Sequence, residues 1–302
     1  GLVSRENPRT ARVTINRLWR DLFGTGLVKT TEDFGVQGER PSHPELLDWL
    51  AAEFMESGWD LQHVLTTIVS SQTYQQSSRA NAELLRRDPE NRLLARGPRF
   101  RLPAGMIRDQ ALSVSGLLHK KVGGPSVKSY QPEGLWADIA SDKSYELASG
   151  PDLYRRSLYS YWKRTVPPPM MMNFDSGSRE ACDVAVRRTN TPLQALNLMN
   201  DVTFVEASRV LAERVLREKS PGARLDTAFR QILLRLPNPA ERKLLERSLE
   251  SHLARYRNDL TAAKSLVSTG NSPASQTEMA ELAAWTMLCS TLLNLDETVT
   301  KE

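Results

Sequence analysis

Apolar positions along this chain return mostly at three- and four-residue intervals, the spacing that gives a helix one buried face. In "NPRTARVTINRLWRDLF" Asn7 stands as the N-cap and Pro8 takes the first helical position, where its missing N–H costs nothing. Val13, Leu18 and Leu22 recur on that run before Gly24 and Gly26 end it. "SHPELLDWLAAEFMESG" places Leu46, Leu47, Leu50 and Phe54 on one side and stops at Gly58. "WDLQHVLTTIVSSQTY" follows, with Asp60 as cap and Leu61, Val64, Leu65 and Ile68 inward. "DPENRLLAR" and "LPAGMIRDQALSVSGLL" read as two further helices. From Thr191 onward the pattern is helical again. "TPLQALNLM" leads to a second start at Asp201, after which Phe204, Ala207, Leu211 and Val215 share a face. "RLDTAFRQILLRL", the charged "NPAERKLLERSLESHLARYRNDL" and the apolar "SPASQTEMAELAAWTMLCSTLLNLDE" complete the set.

Between these blocks the pattern lapses. Residues 121–152 carry glycines, prolines and serines without a period, which predicts loops. "RRSLYSYWKRTV" alternates Leu158, Ser160 and Trp162 against Tyr159, Tyr161 and Lys163, the one strand-like stretch, and the prolines at 167–169 close it. "TAAKSLVSTGNSPASQ" reads as a mobile internal linker. The expected fold is all-α: an irregular multi-helix bundle with a loop-rich middle segment and at most a short β-hairpin. Residues 1–302 form one large helical module, with N-terminal helices over 1–120, a loop- and strand-rich insertion over 121–190 and C-terminal helices over 191–302.

Several polar clusters are helix starts. Thr191 with Gln194, Ser42 with Glu45, Asn238 with Glu241 and Ser275 with Glu278 all match the capping box, in which residues at the cap and three positions on bond reciprocally. A cap is worth about 1 kcal/mol, enough to account for these residues without invoking chemistry. Composition narrows the partners. Forty Lys and Arg against 36 Asp and Glu leave +4 over 302 residues, and aromatic residues are 7 %. Neither a strongly basic surface nor a stacking platform for nucleic acid is expected. No apolar run approaches the roughly 18 residues of a transmembrane helix, and no signal peptide opens the chain. The first residue is Gly, as expected for a cut or processed piece of a longer polypeptide. The two cysteines, Cys182 and Cys289, form no metal or haem motif, and Cys289 in its apolar run reads as a buried free thiol.

Chemistry-bearing candidates remain in the middle. Asp175 with Glu180 or Asp183 could supply paired carboxyls for glycoside cleavage. Cys182 beside Arg187 and Arg188 has the charges that favour thiolate, but no base close in sequence. His43, flanked by Glu39 and Glu45, reads as a first-turn residue ahead of a metal ligand, so no metal is expected. Arg155, Arg156, Lys163 and Arg164, interleaved with Trp162, suit an anion-binding face, since guanidinium forks and indole faces take carboxylates and sugar rings. "GGPS" at 123–126 reads as a loop.

Five stretches, "NPRTARVTINRLW", "EDFGVQGERPSHPELLDWLAAEFMESGWDLQHVLTTIVSSQTYQQSS", "RRSLYSYWKRTVPPPMM", "RRTNTPLQALNLMND" and "LNLDETVTKE", resemble in order the planctomycete-type C-terminal domain of unknown function. "FDSGSREACDVAVRRTNTPLQAL" matches its signature region, at Phe174, Asp175, Cys182, Arg188, Thr189, Thr191, Pro192 and Gln194. The resemblance implies an extracytoplasmic (periplasmic or cell-surface) module of large proteins that often carry cytochrome c-type segments. It implies no cofactor in this segment, with haem c on a separate domain, and no established activity. The expected role is an interaction module binding its upstream domain or an anionic ligand such as acidic polysaccharide, with no nucleic acid and no transmembrane segment. Arg156, Trp162, Arg164, Asp175, Arg187, Arg188 and Thr189 are the candidate binding residues. The alternative is a polysaccharide hydrolase or lyase using Asp175 as acid/base and Arg188 to orient an anionic group.

Overall fold

The computed structural model describes residues 1–132, 134–136, 145–177, 179 and 188–301. They are helical: α1 (Pro8–Phe23), α2 (Pro44–Glu56), α3 (Leu61–Val69), α4 (Ala82–Arg87), α5 (Ala104–Ser115), α6 (Pro169–Asn173), α7 (Pro192–Asn200), α8 (Val202–Val215), α9 (Pro221–Leu233), α10 (Pro239–Asn258), α11 (Leu260–Val267), α12 (Met279–Leu293) and α13 (Asp296–Val299). Among the described residues the only sheet pairs β1 (Phe100–Arg101) with β2 (Thr300–Lys301). The all-α expectation holds. No helix of the described residues is long and apolar enough to cross a membrane.

The chain divides into two compact units, one built on Gly1–Phe100 and one on residues 101–299. In the first, α1 packs on α2, and α2 on α3. Asn7 caps α1 by accepting from Arg9 N–H, and Gly24 stops the helix with φ 83°, which a side chain would disfavour. The buried face of α1 is Ala11, Ile15, Trp19 and Phe23, one step round from the expected Val13, Leu18 and Leu22, which lie half-buried at its rim. Buried Asn16 anchors the chain beyond, donating to Val28 O at 2.9 Å and accepting from Val28 N–H at 2.8 Å. The helix expected over 88–96 is absent. Asp88 accepts from the N–H groups of Arg92 and Leu93, and Asn91 and Leu94 take positive φ, which makes a turn; the helix lies earlier, at α4.

The second unit is organised on α12, apolar round its circumference and packed on α8, α10 and α11. Helix α5 packs on the same α8. Cys289 is free and fully buried on α12, as expected, and burial pushes its thiol up to about 12. Two of the four expected capping boxes form, at Thr191/Gln194 and Asn238/Glu241. The other two do not. His43 occupies the N-cap of α2 while Ser42 donates to Leu27 O, and Glu278 itself caps α12, accepting from Ala280 and Glu281 N–H.

Candidate functional site

The strand-like stretch 155–166 is not a strand. It holds one 3-10 turn, Ser157–Tyr159, follows another at Gly150–Tyr154, and makes single bridges to His119 and Val127. Its alternation still orients side chains, but it turns Arg155 inward and leaves Arg156 exposed. Arg155 stacks on the Tyr159 ring at 3.8 Å and donates to the carbonyls of Pro125 (2.8 Å), Gly123 and Lys121. Tyr159 completes the loop's anchorage by accepting from Gly123 N–H at 2.7 Å. The "GGPS" turn is thus a carbonyl cradle for the protein's own guanidinium. Trp162 is half-buried against the core, with the Arg179 guanidinium 4.4 Å over its ring, and Arg164 is exposed.

Asp175 and Thr189 come together. The Asp175 carboxyl accepts from Arg101 Nη2 at 2.5 Å, Thr189 N–H at 2.7 Å and the Thr189 hydroxyl at 2.9 Å. Arg101 also donates through Nε to Thr189 O, at 2.8 Å, and lies over the Phe174 ring at 5.2 Å. Gln194 ties the knot to α7, donating to Asn173 O at 2.9 Å while its Oε1 accepts from Thr191 N–H. Asp175 has φ 58°, a conformation that Asp adopts more readily than most residues. Both carboxyl oxygens are engaged by donors, the arrangement of a structural acceptor. Arg188 is half-buried; Arg187, Cys182, Asp183 and Glu180 lie outside the described residues.

Among the described residues, concave surface lies elsewhere in the same unit. A recess of about 240 Å³ is bounded by Arg108, Tyr130, Pro169, Met171, Asn200 and Asp201. A second, of about 660 Å³, is bounded by Tyr130, Gln131, Trp136, Tyr145, Val202 and Asn271. Tyr130 and Pro132 line both, so the two are lobes of one cleft. Helix α5 supplies Arg108, whose buried guanidinium donates to Arg155 O (2.9 Å), Leu153 O (3.2 Å) and Ser157 Oγ (3.4 Å). Burial pulls the Arg108 pKa down, and burial raises that of Asp201. Asp201 also caps α8, accepting from Thr203 N–H at 2.8 Å.

Tyr130 is fixed from behind by a buried polar group. Its hydroxyl accepts from Asn271 N–H at 2.8 Å, and burial followed by the nearby Glu206 pushes its pKa up to about 12. Fully buried Glu206 on α8 accepts from the Tyr154 hydroxyl at 2.8 Å and Ser272 N–H at 2.6 Å. One turn on, Arg209 donates to Ser272 O and to Glu213, each at 2.6 Å, and Glu213 accepts from Ser275 N–H at 3.2 Å. Gly270, at φ 90°, lies against Glu206 Cδ where any Cβ would overlap. The stretch expected to be a mobile linker is therefore α11 followed by a clamped loop.

Residues 1–249 match the family described as PSD1, protein of unknown function (DUF1553). The chain belongs to that family. No curated protein and no solved structure matches it. Within this PSD1 chain, sequence reasoning reached Asp175, Thr189 and Gln194, which do converge, but missed the cleft. A signal was present for part of it. Arg108 shares its helix face with Ile107, Ala111 and Leu112, and Glu206 and Arg209 lie among Phe204, Ala207 and Leu211. A charge on an apolar face must find internal partners. Tyr130 carried no such mark, because its environment is set by residues 141 positions away.

Proposed function

We propose that this chain is a ligand-binding module whose site is the Tyr130 cleft, with the middle segment as its receptive face. One observation carries the reading: residues 129–132, Gly134 and Trp136 with the α7–α8 junction border a largely apolar hollow around a few fixed polar groups, as small-molecule sites do. Loops carry function where a rigid scaffold positions them, and here α8 and the clamped loop supply that scaffold. The hydrolase alternative needs Asp175 to offer an oxygen or a proton to a leaving group, and its oxygens face Arg101 and Thr189 instead. The family resemblance supports placing the module in a larger extracytoplasmic polypeptide, beside an upstream domain and a separate haem c segment. Haem staining and fractionation of the complete polypeptide test that placement.

A crystallographic fragment screen tests the binding reading. Hits are expected to concentrate in the cleft and to be excluded by Val202→Trp, which fills the larger lobe. Hits concentrated at Asp175, together with glycan cleavage lost in Asp175→Asn, would overturn it.

A further inference from the structure

Building on the cleft reading, we infer that the ligand is an uncharged pyranose sugar or a glycan end of that kind, stacked on the Tyr130 ring. The argument begins with charge. The smaller lobe has one cation, Arg108, and its Nη atoms already serve two backbone carbonyls and Ser157 Oγ. A phosphate, sulfate or uronate entering there would meet no uncommitted guanidinium among the described residues and would have Asp201 beside it. An anion buried in that lobe without a paired cation is strongly disfavoured, and the two lysines beside the larger lobe, Lys128 and Lys163, are set against the faces of Trp136 and Tyr145.

The polar groups that remain are mainly amides. Gln131, which lines the larger lobe, accepts from the Trp136 indole N–H through Oε1 at 2.7 Å and keeps its NH2 as a donor. Asn197 accepts from Asn173 Nδ2 through Oδ1, at 3.1 Å, so its own NH2 is the group left over. Asn200 uses its NH2 on Leu196 O at 2.7 Å and keeps Oδ1 as an acceptor. Asn271 adds a fourth amide to the lining of the larger lobe. Donors and acceptors spaced around a hollow are what vicinal hydroxyls require, since each hydroxyl both donates and accepts.

The apolar half of the match is aromatic. A pyranose ring has one face of C–H groups that packs on an aromatic plane, and of the rings lining the cleft Tyr130 is the one left for it: Trp136 is buried with Lys163 Nζ 4.2 Å over its ring, and Lys128 Nζ lies 5.5 Å over Tyr145. Tyr130 is the best placed, because it borders both lobes and its hydroxyl is pinned to Asn271. A platform held from behind loses little freedom on binding, which favours affinity. This gives the Glu206–Arg209–Glu213 clamp a purpose beyond loop closure: it fixes the wall that fixes Tyr130.

Calorimetric titration of the whole chain tests the inference. The panel comprises glucose, xylose and mannose, their neutral tetrasaccharides, oligogalacturonate, a sulfated galactan oligosaccharide and a proline-rich peptide. A neutral saccharide is expected to bind, and Asn200→Ala and Tyr130→Leu should each weaken it about tenfold or more, as losing a matched polar or stacking partner does. Tyr130→Phe keeps the ring but frees it from Asn271, so its loss should fall between the parent protein and Tyr130→Leu. Asn200 is exposed, so its variant remains informative if Tyr130→Leu fails to fold. Monosaccharide binding at full strength identifies a free sugar, and a requirement for the tetrasaccharide identifies a glycan end; either supports the inference. Binding only of the uronate, the sulfated sugar or the peptide overturns it, as does silence of every saccharide while fragments still occupy the cleft. Silence of fragments as well would remove the underlying reading instead.

Discussion

Arg209 has no exposed side-chain surface and stands between Glu213 at 2.6 Å and Glu206 at 3.9 Å. Ion pairs at such depth add little net stability, because desolvation offsets their attraction, yet removing one member leaves the other charge stranded. Arg209→Ala should therefore cost about 3–5 kcal/mol in urea unfolding. Arg156→Ala, at an exposed site, should stay within about 0.5 kcal/mol. Equal effects of the two would discard the clamp. The contrast also marks how far single residues could be read. At 155–156 one arginine turns in and one stays out, and which is which depends on where Tyr159 and the carbonyls of residues 121–125 come to lie. Asp175 and Thr189 were legible as members of one polar signature, but not as bonded partners; Tyr130, Asn271 and Glu206 were not legible at all, because three distant segments assemble them.

Helix starts separate local from tertiary information. Asn238 caps α10 through Ala240 and Glu241 N–H at 3.0 and 2.9 Å, and Glu241 returns a bond to Asn238 N–H at 2.7 Å. Asn238→Ala should lower stability by about 1 kcal/mol, the usual value of a cap. Ser275→Ala and Ser42→Ala have the same sequence motif but no capping bond, and each should move the thermal midpoint by less than half as much. A Ser275→Ala loss matching that of Asn238→Ala would restore the expected box at α12. The motif succeeds where Thr or Asn directly precedes an N1 proline; it fails in "SHPE", where His43 intervenes, and in "SQTE", which has no proline and whose helix begins only after Glu278. In "SHPE" the proline fixes the first turn, so His43 takes the cap position and Ser42 falls one step outside. The longer α-helices were readable from period and punctuation, the short α4 and α6 were not; nor was the stretch 155–166, because alternation there reflects anchoring of single residues, with no continuous partner strand.

At the scale of the molecule, the helical ends of the second unit are tied by Arg235, which bonds both Glu241 of α10 and Glu297 of α13. Hydrogen bonds from Arg235 hold Glu241 down at about 2, from an ordinary 4.5. The sign follows from proton counts. Between these two values the unfolded chain binds a proton at Glu241 that the folded chain does not, so stability falls as pH drops. The contribution is fully present above about pH 4.5 and is progressively lost toward pH 2. Both partners are about a third exposed, at 39 % and 31 %, so solvent and salt screen the bridge and its effect is read as a slope with pH. Glu241→Gln keeps an acceptor for Asn238 N–H while deleting the titration, which separates the cap from the charge. Urea midpoints measured at pH 6 and pH 3 should fall further for the parent protein than for Glu241→Gln, and the gap should narrow at high salt. Identical falls would show that Arg235 holds α10 and α13 by geometry alone, with the carboxyl charge of Glu241 irrelevant to how the C-terminal helices resist acid.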